Sequence, residues 1–369
     1  MSGLYRAMKP RRLVVAAAVV LIFLVVRYKL IGPSLDPLER QEAKEKTNGA
    51  TAVAAEEESE LPPRPSKVVV LWTSWRSGST FIGQLLTRAS NSTFYSYEPL
   101  HMHGVQVLDV DDATTQSALA FLKDLLLCRL RRWQREVAYL GSLGKYRSQN
   151  TFLWKRCPRH RQQWRLCRNA SFVSEICRSA SLHVAKVLRL SLRWARPLLA
   201  DRDLDVRVLY MVRDSRAVLS SRAAKSWCRS PSCRDPQTVC PLLAADLREA
   251  DALAAEYPHR FKLLIYDKIC QQMSTVLEDT MAFLGLPTTA EQKHLLKYDQ
   301  AYFRKASIEK NSSLQAQLWR RTVSFPGIVV PTQQHCRTSL EKLGLRIFSK
   351  EEDLRNLNVS TMVRTPSLL

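Results

Sequence analysis

Three apolar, β-branched runs, Lys67–Thr73, Asp205–Val212 and Arg260–Tyr266, are each followed by residues at helical spacing, and together they predict an α/β fold: a parallel sheet with helices on its faces. The helical stretches between the runs are long enough for crossovers, which parallel strands need and hairpins do not. A chain of 369 residues with 46% hydrophobic content can also bury one sizeable core.

The first run, Lys67-Val-Val-Val-Leu-Trp-Thr73, reads as a strand buried on both faces. A Ser/Gly turn, Trp75-Arg-Ser-Gly-Ser-Thr80, leads into a helix marked by Phe81, Ile82, Leu85 and Leu86. Thr93–Tyr97 suits a further strand. From Ala118 to Leu199, apolar and basic residues alternate at helical spacing, which fits solvated helix faces as well as a groove for an acidic glycan. Within that section, Ser181–Leu190 fits strand or helix. The second run ends in Arg213-Asp214, and Asp214 and Ser215 are placed to cap a helix over Ser215–Lys225. After the third run a helix is expected from about Gln271 to Leu284, stopped at Gly285.

Ahead of the sheet, an apolar run from Leu13 to Val26 follows Arg6, Lys9, Arg11 and Arg12, the pattern of a signal anchor. Residues 1–31 are therefore expected to form a cytoplasmic tail and transmembrane helix of a type II protein. Residues 32–66, with prolines and a glutamate cluster, form a flexible stem, and 67–369 a lumenal domain. Sequons at Asn91, Asn169, Asn311 and Asn358 agree with a lumenal location. The nine cysteines are too scattered for a zinc framework, and disulfides account for them better, with at least one cysteine left over.

Of the net charge of +22, the first 66 residues carry only +2, from 10 basic and 8 acidic residues, so +20 belongs to the body. A body this basic attracts polyanions. The anchor and sequons argue against nucleic acid as the partner.

Two segments carry chemistry. Arg76-Ser77-Gly78-Ser79-Thr80 lies where strand turns into helix, and backbone N–H groups at a helix start, a glycine for close approach, hydroxyls and an arginine favour an anion. The loop lacks the Gly-Lys-[Ser/Thr] ending of a Walker A motif. In Arg213–Arg222, Arg213 and Ser221 stand two helical turns apart and suit a second phosphate, although Arg213 could equally pair with Asp214.

These segments resemble the Golgi carbohydrate sulfotransferases that act at the 6-hydroxyl of galactose, N-acetylgalactosamine or N-acetylglucosamine. Arg76–Thr80 is similar to that family's 5′-phosphosulfate loop, and Val212–Arg222 to its 3′-phosphate element. The likeness continues through Tyr97–Leu100, Val184–Arg189, Trp319–Arg321 and Cys336–Gly344. Departures occur at Ser215, where relatives carry proline, at Ile265–Lys268, and at Leu100–Gly104.

The resemblance implies a P-loop-like sulfotransferase fold, 3′-phosphoadenosine 5′-phosphosulfate (PAPS) as donor, no metal, a glycan or glycosaminoglycan acceptor, and a Golgi membrane location; homo-oligomerisation is left open. It implies donor contacts at Arg76, Ser77, Gly78, Ser79, Thr80, Arg213, Ser221, Trp319 and Arg320, and acceptor or sulfonate contacts at Lys186 and Arg189. Glu98 is the expected base, with His101 and His103 as alternates, unless Glu98 simply pairs with Arg76. Two other classes compete. A membrane-tethered glycosaminoglycan-binding protein without catalysis would need the basic face but not both anion loops. A glycosyltransferase would use an Asp-x-Asp motif, whose letters occur at Asp201, Asp203 and Asp205.

Overall fold

The five strands are β1 (Lys67–Thr73), β2 (Thr93–Tyr97), β3 (Leu182–Val187), β4 (Val206–Val212) and β5 (Phe261–Ile265). They form one sheet in the order β2-β3-β1-β4-β5 with every pairing parallel. The computed structural model describes Pro65 and residues 67–157, 163–298 and 316–364. The expected anchor, the stem and Asn311 lie outside the described residues, and among those described no helix is long and apolar enough to cross a membrane.

The helices that position the site are α1 (Ser79–Thr87), α2 (Ala113–Leu126), α3 (Gln134–Ser142), α4 (Gly144–Gln149), α5 (Ser215–Ala223) and α6 (Pro236–Glu256). Four of these starts have a chemical reason. Gly78 caps α1 at φ 92°, a left-handed conformation that favours glycine. The side chains of Asp112 and Asp214 accept the backbone N–H groups of Thr115 and Arg216 at the starts of α2 and α5. Asp235 does the same for Gln237 ahead of Pro236, whose missing N–H costs nothing at a helix's first position.

β1 and β4 are the centre of the core: Val70, Leu71, Val206, Val208 and Leu209 have no solvent exposure. The chain leaves β1 toward β2 on one side and leaves β4 toward β5 on the other. Connections that part in opposite directions open a crevice above the carboxyl ends of those two neighbouring strands. Both anion loops of the sequence follow β1 and β4.

Of the two readings of Ser181–Leu190, the structure has the strand, β3 over Leu182–Val187, which carries Lys186 and ends just before Arg189. Its full burial explains why alternation gave no guide, since a strand covered on both faces has none. Past β5 the expected helix forms as Met273–Leu284, closed by Gly285 at φ 61°, and a short helix not foreseen, Tyr266–Gln271, precedes it.

Eight cysteines pair as Cys128–Cys177, Cys157–Cys167, Cys228–Cys233 and Cys240–Cys336. The ninth, Cys270, is a buried thiol, and burial pushes it up to about 12. Cys128, Cys177 and His183 form a cluster of potential metal-binding groups among the described residues, but the bond between its two sulfurs takes them out of that role. Asn91, Asn169 and Asn358 are all exposed.

Candidate active site above β1, β3 and β4

The loop after β1 and the loop after β4 touch. Arg76 Nε donates to Ser221 Oγ at 2.8 Å, and Arg213 Nη1 donates to the Arg76 carbonyl at 3.3 Å. Two segments 137 residues apart therefore make one surface. Two hydrogen-bonding atoms on it, Arg213 Nε and Ser215 Oγ, are buried without a partner among the described residues. Such orphans are expensive unless a ligand or water satisfies them, and an anion with several oxygens would fit.

Tyr266 supports this surface from the third strand end. Its ring lies against Gly78, where even a methyl group would overlap it, and the Arg213 guanidinium sits 4.6 Å from its ring centroid. Asp267, fully buried, accepts the Asp214 N–H at 3.1 Å. Burial first, and then the neighbouring Asp214, push its carboxyl up to about 6. Asp214 does not pair with Arg213; it binds Arg216 through both oxygens, at 3.0 and 2.8 Å.

Within the first loop the roles divide. The Ser77 hydroxyl is buried, bonded to Thr73 Oγ1 at 2.5 Å and donating to the Ser74 carbonyl at 2.9 Å, so that side chain holds the loop together. Ser79 opens α1 behind Gly78, and its side chain is also buried. Thr80 Oγ1 accepts from Lys186 Nζ at 3.3 Å. Two guanidiniums lie near the Trp75 ring, Arg189 at 5.5 Å and Arg222 at 5.7 Å from its centroid. Arg222 anchors the loop by donating to the Trp75 carbonyl at 3.0 Å and to the Cys233 carbonyl at 2.8 Å. Burial, followed by the charge of Arg76, pushes it down to about 9.

Beyond this loop stands Glu98, at the end of β2. It does not pair with Arg76. Its two oxygens accept from Lys186 Nζ at 3.1 Å and Arg189 Nη1 at 3.2 Å. Burial alone would raise the Glu98 carboxyl, but the charges of Lys186 and Arg189 outweigh it and hold it below the usual carboxylate value. For Lys186 the balance is opposite: burial dominates over Glu98 and lowers the amine to about 8. Lys186 thus connects the anion loop to the carboxylate, one donor on each.

Glu98, Arg76 and Arg189 have φ of 50°, 70° and 79°. Left-handed conformations in non-glycine residues cost of order 1–3 kcal/mol each and concentrate at functional sites. Three of the four such residues among those described belong to this one surface; Cys128 is the other.

His101 flanks the carboxylate in a short helical turn. Its Nδ1 is 2.9 Å from the Tyr139 hydroxyl, and burial, followed by the charge of Arg189, lowers its pKa. His103 is lowered by the same two causes.

Trp319 and Arg320 lie elsewhere. Trp319 belongs to a second apolar cluster with Ala217, Val323, Val329, Phe348 and Leu354. The buried Arg320 guanidinium donates to the carbonyls of Asp353, Leu354, Asn356 and Val359 and to Gln317. Five acceptors leave the Arg320 guanidinium no free donor for a nucleotide, so that expected contact is corrected, while Trp319 packs on Ala217 of α5. The Asp-x-Asp letters are also placed away from the surface, in the turn before β4, where Asp201 pairs with Lys123.

Tyr97, Tyr266, Asp267, Arg222 and Lys145 belong to the surface without having been singled out in the sequence. Their contacts join distant segments, which spacing along the chain does not encode. Below Trp75 a cavity of about 70 Å³ reaches down to α6. There Asp246 accepts the Leu192 N–H at 2.7 Å and the Tyr210 hydroxyl at 3.4 Å, and burial pushes it up to about 7.

No family model matches the chain. Among curated proteins, carbohydrate sulfotransferase 6 of Homo sapiens is 28% identical, covering 78% of this chain and 83% of its own. Carbohydrate sulfotransferase 5 of Mus musculus is 26% identical over 80% and 85%. Carbohydrate sulfotransferase 3 of Mus musculus is 25% identical over 80% and 71%. Among solved structures, a sulfotransferase domain from the curacin biosynthetic pathway overlays with a TM-score of 0.40 at 15% identity, covering 75% of this chain and 98% of that one, a likeness too low to bear on the fold. Along about four-fifths of its length, then, the chain is similar to curated carbohydrate sulfotransferases at 25–28% identity.

Proposed function

We propose that this sulfotransferase moves a sulfuryl group from PAPS to a sugar hydroxyl, the 6-hydroxyl of galactose, N-acetylgalactosamine or N-acetylglucosamine in a glycan or glycosaminoglycan. The observation that carries the reading is the joining of the two anion loops through Arg76, Ser221 and Arg213, with Lys186 linking them to Glu98. The donor supplies an activated sulfuryl group on a good leaving group. The buried, unpartnered Arg213 Nε and Ser215 Oγ fit its phosphate oxygens.

Glu98 takes the proton of the attacking hydroxyl as the new O–S bond forms. Its ionised state, enforced by two cations, keeps it ready to accept. Lys186 and Arg76, with Thr80 and the backbone amides of the loop, meet the charge that grows on the bridging oxygen as the old S–O bond breaks and adenosine 3′,5′-bisphosphate departs. Arg213 and Ser221 hold the 3′-phosphate. Arg189 orients Glu98, and His101 lines the acceptor side. A sulfuryl group carries less charge than a phosphoryl group, so arginine, lysine and amides suffice, and the reading calls for no metal.

The compartment proposed is the Golgi lumen, with the chain held as a single-pass type II protein by residues 13–26. Support comes from four disulfides, three exposed sequons and the basic flank of the apolar run.

The test is incubation of the full chain with labelled PAPS and a panel of glycosaminoglycans and N-acetyllactosamine chains, followed by disaccharide analysis. Arg76→Ala and Arg213→Ala should each abolish transfer. Glu98→Gln should keep nucleotide affinity and lose turnover; normal turnover would remove Glu98 from the chemistry. PAPS binding without transfer to any acceptor would favour a glycosaminoglycan-binding protein instead.

A further inference from the structure

Lys145 is a cation at the edge of the transfer site that no carboxylate among the described residues pairs with. It is the second residue of α4, its side chain is exposed, and its ammonium lies 5.7 Å from the centroid of the Tyr97 ring. The Lys186 ammonium lies 4.1 Å from the same centroid. Two ammonium groups thus share one aromatic ring. Among the described residues no carboxylate pairs with Lys145, and both oxygens of the nearby Glu98 are engaged by Lys186 and Arg189. Like charges held this close repel, and Lys145 depresses the protonation of both His101 and Lys186. An anion arriving at Lys145 would relieve that repulsion.

The sheet order separates that anion from the donor. Arg213 follows β4, Tyr97 ends β2, and β3 and β1 lie between them. At about 4.8 Å per strand the two ends stand roughly 14 Å apart. The donor's 3′-phosphate contacts are at the β1/β4 end, the transfer point is at Lys186 and Glu98, and Lys145 lies beyond it. Beside Lys145, α3 presents Tyr139, 38% exposed, its hydroxyl tied to His101. A flat apolar ring with an anchored polar tip suits the face of a sugar.

Resting on the transferase reading above, we infer that Lys145 is a specificity-determining residue that binds an anionic substituent of the acceptor, a uronate carboxylate or a sulfate ester one sugar away from the reacting hydroxyl, while Tyr139 supports the ring. The acceptor class is then an acidic glycan.

The test measures kcat/KM of the full chain with saturating PAPS on four acceptors: chondroitin, carboxyl-reduced chondroitin, and N-acetyllactosamine oligosaccharides without and with sulfate. The wild type should prefer a charged acceptor over its neutral counterpart by about tenfold, and the pair that shows the preference identifies carboxylate or sulfate as the group bound. Lys145→Ala should bring that ratio toward one by raising KM for the charged acceptor, and Lys145→Arg should retain the ratio. A ratio unchanged in Lys145→Ala, or a loss that appears as a raised KM for PAPS, overturns the assignment of Lys145 while leaving the transferase reading intact. Failure of the wild type to transfer to any acceptor sinks the transferase reading itself.

Discussion

Replacing Gly78 by alanine tests whether the anion loop is held by the contact between that glycine and Tyr266. Two separate costs follow from the geometry. At φ 92° any L side chain is strained, for roughly 1–2 kcal/mol. The added methyl would also sit 2.5 Å from Cδ2 of Tyr266 and closer still to Cε2, and forced overlap of this kind costs about 1–3 kcal/mol. Gly78→Ala should therefore lose roughly 2–5 kcal/mol of stability and weaken PAPS binding at least tenfold, because the loop must move to accept the methyl. Tyr266→Ala removes the obstacle but not the strain. In the double variant the overlap disappears, so the two losses should fall short of additivity by about 1–3 kcal/mol. Denaturant unfolding of the four proteins of this cycle, with calorimetric titration of PAPS, measures both quantities. Additive losses, or an unaffected Gly78→Ala variant, would refute the proposed packing of the loop.

Two further predictions concern protons. Because Glu98 is held below the usual carboxylate value and Lys186 is lowered to about 8, kcat/KM should be flat across neutral pH and fall as pH rises through about 8, where Lys186 loses its charge. Lys186→Arg, which stays protonated, should move that fall to higher pH in whatever activity survives, and an unmoved limb would assign it to another group. Asp246, raised from 3.8 to about 7, holds its proton in the folded state and releases it in the unfolded chain between those values. Stability should then decline as pH climbs from about 4 to 7, by up to about 4 kcal/mol. Asp246→Asn should flatten that slope in denaturant unfolding, and a wild-type slope that persists in the variant would contradict the assignment.

Much of the scaffold was legible in the chain before its structure. β1 is apolar from Val68 to Trp72, β4 and β5 are broken only by Arg207 and Lys262, and such runs between helical segments leave few arrangements but a parallel sheet. β3 was not legible, because His183 and Lys186 interrupt its apolar pattern. Their partners, Ser96 on β2 and Glu98 just beyond it, lie more than 80 residues away. Arg76, Arg213 and Ser221 were found by residue type and by position after a strand, and the structure brings them into contact. Trp319 and Arg320 were chosen by resemblance alone, and nothing local in the sequence distinguishes a guanidinium facing a nucleotide from one facing carbonyl oxygens. Tyr266 and Asp267 were passed over because their stretch departs from the family's pattern, whereas their value lies in reaching Gly78 and the Asp214 backbone across the fold.

Arg320 gives the end of the chain a duty of its own. Inside a dry interior, four carbonyl oxygens between Asp353 and Val359 do for this cation what water would otherwise do. Arg355 returns the favour, donating to the Val323 carbonyl at 2.7 Å. A stop codon that ended translation just before Asp353 would remove Leu354 and Val359 from the second apolar cluster together with four of the five acceptors of the Arg320 guanidinium. Trimming there should cripple folding far more than the number of deleted atoms suggests.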